Sequence, residues 1–340
     1  MQQRHDNPVS AILTAIRENL GRGKDSQRIP GATPSDRLSG RTVMVTGSNS
    51  GLGKAVAVEL ASRGARVLMA CRSGIPEAGH EVRARSGNPQ VEMLQVDLSD
   101  LHSVHALCDT LRDRGERIDV LVSNAGVVPK EGRKSAQGYE LMVAVNFLAG
   151  TVLLDRLLHD GVIPNDTWGG NGPAAGAPRS RVVFVSSEAH RTAPRLDIPG
   201  LSRFEPFGIK DSMRYYGRSK LCLCTYAVEL SRRLTLPDGS VDVAVHHLCP
   251  GPVNSNMARE APAWAKPLLK PIMGLAFNSP EVAAEPVTYL ACARSIEGRT
   301  GTYLHMLKEK PCSELALEPA AGKAVWDAAV DMASVARPSA

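Results

Sequence analysis

Val43-Met44-Val45-Thr46-Gly47-Ser48-Asn49-Ser50-Gly51-Leu52-Gly53 is the stretch that decides the fold: an apolar run, a glycine-rich turn, then an amphipathic stretch through Ala55 to Leu60. Strand, turn and helix in that order form a phosphate site. The glycines permit a tight turn and let backbone N–H groups approach a pyrophosphate, while the helix N-terminus adds positive potential. The spacing is G-x-x-x-G-x-G, not the commoner G-x-G-x-x-G. Working outward, further apolar strand candidates lie at 66–71, 91–96, 118–123, 181–186 and 241–248, with a seventh at 302–305, separated by helix-like segments. Nearly continuous apolar strands joined by helical crossovers predict a parallel sheet covered on both faces. No period of 20 to 50 residues repeats, which excludes a solenoid.

With 340 residues, 43% hydrophobic and 22% charged, the chain can bury a large core in one α/β unit. Its net charge is 40 minus 35, or +5, without a basic block or aromatic-interleaved stripe, so no nucleic-acid partner is expected. Seven cysteines lack zinc-like spacing, and Cys222 and Cys224 point different ways on a helix; free thiols in a reducing, cytoplasmic setting are expected. His102, His105, His246 and His247 read as non-metal residues, and no metal is expected. The sequence shows no run of eighteen apolar residues and no basic-then-apolar leader, so neither a membrane span nor a secretory signal is expected.

Tyr216-Gly217-Arg218-Ser219-Lys220 puts a phenol and an ammonium one turn apart on one helix face. A free tyrosine titrates near about 10, and a neighbouring cation favours the phenolate, bringing the pair toward acid and base work near neutrality. Other short motifs follow in order: Asp97-Leu98, Asn124-Ala125-Gly126, Val145-Asn146, the run Val182 to Ser187, and Pro250-Gly251-Pro252-Val253. On these motifs the chain resembles the short-chain dehydrogenase/reductase family from about Leu38 to Leu307. Residues Tyr216 to Leu221 and Cys71-Arg72 are most similar to the branch of retinol dehydrogenases and related carbonyl reductases. Two departures stand out: Ser123 replaces a second asparagine before Asn124, and Leu221-Cys222-Leu223 lacks the asparagine frequent in that branch.

The resemblance implies a single Rossmann-type domain, a doubly wound parallel sheet of about seven strands with helices on both faces. It assigns Tyr216 as general acid or base, Lys220 as the group that lowers its pKa and bonds the nicotinamide ribose, and Ser187 as hydrogen-bond donor to the substrate oxygen. Asn146 would hold a water linking Lys220 to solvent. Tyr215 lacks a lysine four residues on, and Ser186 should point away from Ser187 by strand alternation. The cofactor would lie on Gly47, Ser48, Asn49, Ser50, Gly51, Leu52 and Gly53, flanked by Asp97 and Leu98 at the adenine and by Asn124, Ala125 and Gly126. Pro250, Gly251, Val253 and Ser255 would hold the carboxamide. At the end of the second strand Ala70-Cys71-Arg72 offers a guanidinium and no carboxylate, so NADP(H) is expected over NAD(H).

Residues 1–37 read as an extension with a short amphipathic helix at 9–20, residues 38–310 as the catalytic domain, and 311–340 as a helical tail. The Gly/Pro-rich stretch 160–180 reads as a mobile surface insertion, and 189–214 as one wall of a substrate pocket. A lid is expected at 252–278, where Trp264, Leu268, Leu269, Ile272, Met273, Leu275 and Phe277 are apolar; Ser279, Pro280 and Glu281 then open the next helix. The reading is hydride transfer between NADP(H) and a small apolar carbonyl or alcohol such as a polyketide, terpenoid, steroid or retinoid-like compound, with a homodimer allowed. Two alternatives stay open: a carbon-carbon double-bond reductase on the same scaffold, and a catalytically silent NADP(H)-sensing protein.

Overall fold

A computed structural model describes residues 28–173, 176–193, 195–253 and 277–336. Eight strands form one sheet in the order β3-β2-β1-β4-β5-β6-β7-β8. They are β1 Thr42–Thr46, β2 Arg66–Cys71, β3 Val91–Gln95, β4 Val120–Ser123, β5 Ser180–Val185, β6 Val243–Cys249, β7 Tyr303–His305 and β8 Lys308–Glu309. All pairings are parallel except β7 with β8, the short antiparallel edge strand that the apolar pattern did not reveal. Two polar residues carry no hydrophobic signal, so its pairing depends on the turn before it.

The order reverses at β1, which is flanked by β2 (Thr46↔Ala70) and β4 (Val45↔Val122). Crossovers leaving β1 and β4 therefore pass to opposite faces and open a crevice at the carboxyl ends of the strands. On one face pack α1 (Gly51–Ser62), α2 (Glu77–Ser86) and α6 (Pro280–Cys292), on the other α3 (Leu101–Asp113), α4 (Leu141–His159) and α5 (Ile209–Arg233). The central strands β1, β4 and β5 are buried on both faces, which is why they read as continuous apolar runs. Caps fix the register of the crossovers: Asp100 accepts from His102 N, and Ser279 accepts from Val282 N ahead of Pro280, as the sequence predicts.

Three expectations are revised. Residues 311–336 are no tail: α7 (Glu314–Leu317) and α8 (Pro319–Ala333) close the core, with Val325, Ala329 and Met332 buried, Trp326 stacked on Tyr226 at 5.1 Å, and Tyr139 Oη donating to Met332 O. The stretch 160–173 is pinned: fully buried Asn165 donates to Leu158 O and Ile163 O and accepts from Trp168 N and Gly169 N, while the buried Asp242 carboxylate takes the Asp166 and Thr167 N–H groups. Third, α4 is long and apolar enough to cross a membrane, although 83% of that window is buried inside the protein; Asn146, Thr151, Asp155 and Arg156 hid it from a search for unbroken apolar runs. The expected helix at 9–20 and most of the lid, Trp264 to Leu275 included, lie outside the described residues, as does Ser255.

Candidate active site

The turn after β1 is shaped by what its glycines lack. Gly47 and Gly51 take φ of +65° and +53°, where an L side chain is strained. A Cβ on Gly53 would stand 2.4 Å from Gly47 O and 2.5 Å from Asn124 Nδ2, and one on Gly47 would stand 2.9 Å from Ala125 Cα. The turn thus presses on the loop after β4, and polar groups lock the two together. Asn124 Nδ2 donates to Thr46 O at 2.9 Å, while the N–H groups of Asn124 and Ala125 donate to Thr46 Oγ1 at 3.0 and 3.1 Å. Thr46 is a positioning residue that the motif reading passed over; its place as last residue of β1 was the available signal.

Several expected cofactor contacts change character. Ser48 is fully buried, its hydroxyl donating to Val45 O, and Leu52 packs into the core, so for both only the backbone is left for a ligand. The Asn124 side chain is likewise committed to the turn. Asn49 Nδ2 reaches Ser73 Oγ at 3.4 Å on the surface, and Ser50 adopts the extended N-cap conformation without a side-chain cap bond. Asp97 accepts from Ser99 N and Oγ at 2.9 and 2.7 Å, and Leu98 packs on the core. Arg72 is 70% exposed, with only a loose 3.9 Å approach to Asp97. Among the described residues Arg72 has no closer carboxylate partner, and the cradle that any Cβ would fill fits the pyrophosphate of a dinucleotide.

The catalytic candidates converge where β5 ends. Ser187 caps the short 3-10 helix Glu188–Thr192, its Oγ accepting from Ala189 N, and lies beside Tyr216. Buried Lys220 donates from Nζ to Val185 O at 2.8 Å and lies 5.8 Å from the Tyr216 ring centroid. A Cβ on Gly126 would come within 3.4 Å of Asn146 Oδ1 and 3.7 Å of Lys220 Nζ, so that glycine keeps the ledge beside the lysine open. Asn146 sits in a π-helical turn, Ala144–Leu148, inside α4, the kind of irregularity that functional sites favour. It accepts from Val127 N at 2.7 Å and donates to Val127 O and Ser219 Oγ, while Ser219 donates to Tyr216 O. Both ends of its amide therefore brace the loop after β4 against the catalytic helix, and buried Ser219 is a second positioning residue the sequence reading missed.

Electrostatics depart from the simple expectation. Burial pushes the Tyr216 phenol up to about 12, opposed by the Ser187 hydroxyl, and burial also brings Lys220 down to about 8. Desolvation outweighs the cation that was expected to lower the phenol, so this state holds Tyr216 as a protonated acid. Its neighbours separate cleanly: Tyr215 Oη donates to Glu205 and its ring stacks on Phe207 at 4.1 Å, and Ser186 Oγ meets Cys224 Sγ at 2.9 Å. Downstream, Gly251 takes φ +80° and Val253 bridges to Asn278.

Residues 41–194 match the family model of short chain dehydrogenases. The chain is 36% identical over 88% of its length to dehydrogenase/reductase SDR family member 13 of Bos taurus, covering 74% of that protein. It is 35% identical to retinol dehydrogenase 13 of Mus musculus over 87% of this chain and 85% of the relative. A solved structure of a Mycobacterium paratuberculosis protein superposes with a TM-score of 0.65 at 26% identity, covering 90% of this chain and 98% of that one. A doubly wound sheet with a tyrosine-lysine pair at its carboxyl edge defines a nicotinamide-dependent oxidoreductase of alcohol and carbonyl groups. This chain belongs to the short-chain dehydrogenase/reductase family.

Proposed function

We propose that the chain is an NADP(H)-dependent carbonyl reductase or alcohol dehydrogenase of apolar substrates. The observation that carries the substrate class is a stripe on α5: Ile209, Met213, Tyr216 and Lys220 follow the i, i+4, i+7, i+11 spacing of one helix face. Ile209 and Met213 are 68% and 58% exposed, among the most exposed large apolar residues described. That face leads an apolar molecule to the phenol, with the wall expected at 189–214 beside it, anchored by Leu201 in the core and by Gly132 N donating to Phe207 O. Arg72 supports the 2′-phosphate preference.

When bound, NADP(H) supplies or accepts the hydride. Its holders would be the backbone of the turn, Arg72, Asp97, the 124–126 ledge and the Pro250-Gly251-Val253 segment. The protein's own part is proton transfer. Ser187 and Tyr216 would both donate hydrogen bonds to the substrate oxygen, and Tyr216 gives up its proton as negative charge grows there. Lys220, still cationic at neutral pH given its position near 8, steadies the resulting phenolate. Oxidation runs the same steps backwards, with the phenolate as base.

The test is NADPH consumption by the full chain against a panel of apolar aldehydes and ketones, with Tyr216→Phe and Met213→Glu alongside. Turnover that vanishes in the first variant and loses apolar substrates selectively in the second supports the reading. Tight NADPH binding without carbonyl turnover, or a saturated product from a carbon-carbon double bond, sinks it.

A further inference from the structure

Behind the catalytic corner, three buried side chains from three separate elements converge: His190 from the 3-10 helix, Cys224 from α5 and Cys312 from the segment before α7, with buried His247 of β6 beside Cys312. The ligand atoms of His190, Cys224 and Cys312 all lie within 4.8 Å of one another, with Cys312 Sγ 3.4 Å from His190 Nε2. Zinc bonds of about 2.3 Å to sulfur and about 2.0–2.1 Å to nitrogen set tetrahedral donors roughly 3.5 Å apart. The imidazole is held in one tautomer: its Nδ1 lies 2.7 Å from Ser187 O, so that nitrogen carries the hydrogen, and the Nε2 lone pair faces Cys312 Sγ, where it now accepts from Ser313 N at 3.3 Å, a bond a metal would displace. A backbone carbonyl on the far nitrogen is the usual outer partner of a metal-bound histidine. His247, 1% exposed, packs against Tyr303 at 4.9 Å, and neither ring nitrogen makes a hydrogen bond of good geometry. A histidine this buried, next to Cys312 and with no hydrogen-bond partner for either ring nitrogen among the described residues, is a second sign that the cluster holds a ligand.

We propose that His190 Nε2, Cys224 Sγ and Cys312 Sγ, with His247 as fourth donor, form a structural zinc site. Two thiolates neutralise the dication, which suits a pocket walled by Leu221, Tyr303 and Ala316. The metal is a clip and takes no part in hydride transfer. It fastens residues 310–313 to the helix that follows Ser187, where Lys310 Nζ already reaches Glu188 at 2.7 Å and Arg191 reaches Pro311 O at 2.6 Å. It also grips α5 one turn beyond Lys220, bracing both sides of the proton-transfer pair. The spacing rules could not find it, because His190 and Cys312 are 122 positions apart.

The experiment is metal analysis of the full chain purified without chelators, followed by cobalt replacement, beside Cys312→Ser and His247→Ala. Expected are about one zinc per chain and, with cobalt, a tetrahedral visible spectrum with a thiolate charge-transfer band. That band should fall by about half in Cys312→Ser, and cobalt affinity should fall at least 10-fold in His247→Ala. Should either variant fail to fold, the wild-type cobalt spectrum decides by itself. Folded wild-type protein that takes up neither metal overturns the proposal. So does cobalt bound without a thiolate band, or an intact mass two hydrogens light with Cys224 and Cys312 joined as a disulfide.

Discussion

At the carboxyl end of β1 the chain works by leaving side chains out, whereas at the end of β5 it works by burying them. The turn holds no titrating group; its capacity rests on Gly47, Gly51 and Gly53 and on the Asn124 and Thr46 bonds that press it against the neighbouring loop. The catalytic corner holds Tyr216 and Lys220 in surroundings that oppose the charge of each. Strain in the first is steric, paid once in backbone shape. In the second it is electrostatic, and therefore varies with pH. The first corner should break through packing and the second through protonation.

The largest effect should come from the catalytic corner. Tyr216→Phe removes the proton donor while leaving the ring in place, and kcat should fall by about 10³-fold or more, with NADPH affinity within about 2-fold by fluorescence titration. An equal loss of affinity would mean that the two corners are not separable. At the turn, Gly53→Ala drives a methyl into Gly47 O; about 3 kcal/mol of stability should be lost by denaturant unfolding, together with most nucleotide binding.

Lys220 sharpens the contrast through pH. Its folded value near 8 lies below the ordinary lysine value of 10.5, so between those values the unfolded chain binds more protons and wild-type stability rises with pH. Below about 8 the buried ammonium costs about 3 kcal/mol at most. Lys220→Met should therefore be inactive yet more stable than wild type at pH 7, and the gap should close by about pH 10.5. A pH-independent gap would trace the change to packing instead. The smallest effect belongs to the exposed rim: Arg72→Glu should shift the NADPH to NADH preference by about 10- to 100-fold, measured as the ratio of kcat/KM values, with no change in Tm.

Legibility in the sequence followed the same divide. Local spacing shows the glycine turn, the Tyr216 and Lys220 face, the parallel strands and the Ser279 cap, because each is set within a few neighbours along the chain. What escaped depends on distant partners. Ser48 looks like a phosphate ligand until its hydroxyl turns inward to Val45 O, and Asn165 makes order out of a Gly/Pro-rich stretch through side-chain bonds that composition does not encode. The direction of the Tyr216 shift was misjudged for a related reason: desolvation is a property of everything packed around a group, and a count of charges one helical turn away omits it.

The position of α8 bears on how the molecule comes into being. One face of the sheet is covered by α3, α4 and α5, yet the cluster beneath them is completed by Val325, Ala329 and Met332, and Tyr139 bonds a carbonyl 193 positions further on. A nascent chain can set β1 to β6 in order and still leave that apolar surface open to water until residues 319–333 have emerged. Closure of so distant a loop is slow, and in the interval the half-finished sheet is a surface for chaperones and for other unfinished copies of itself.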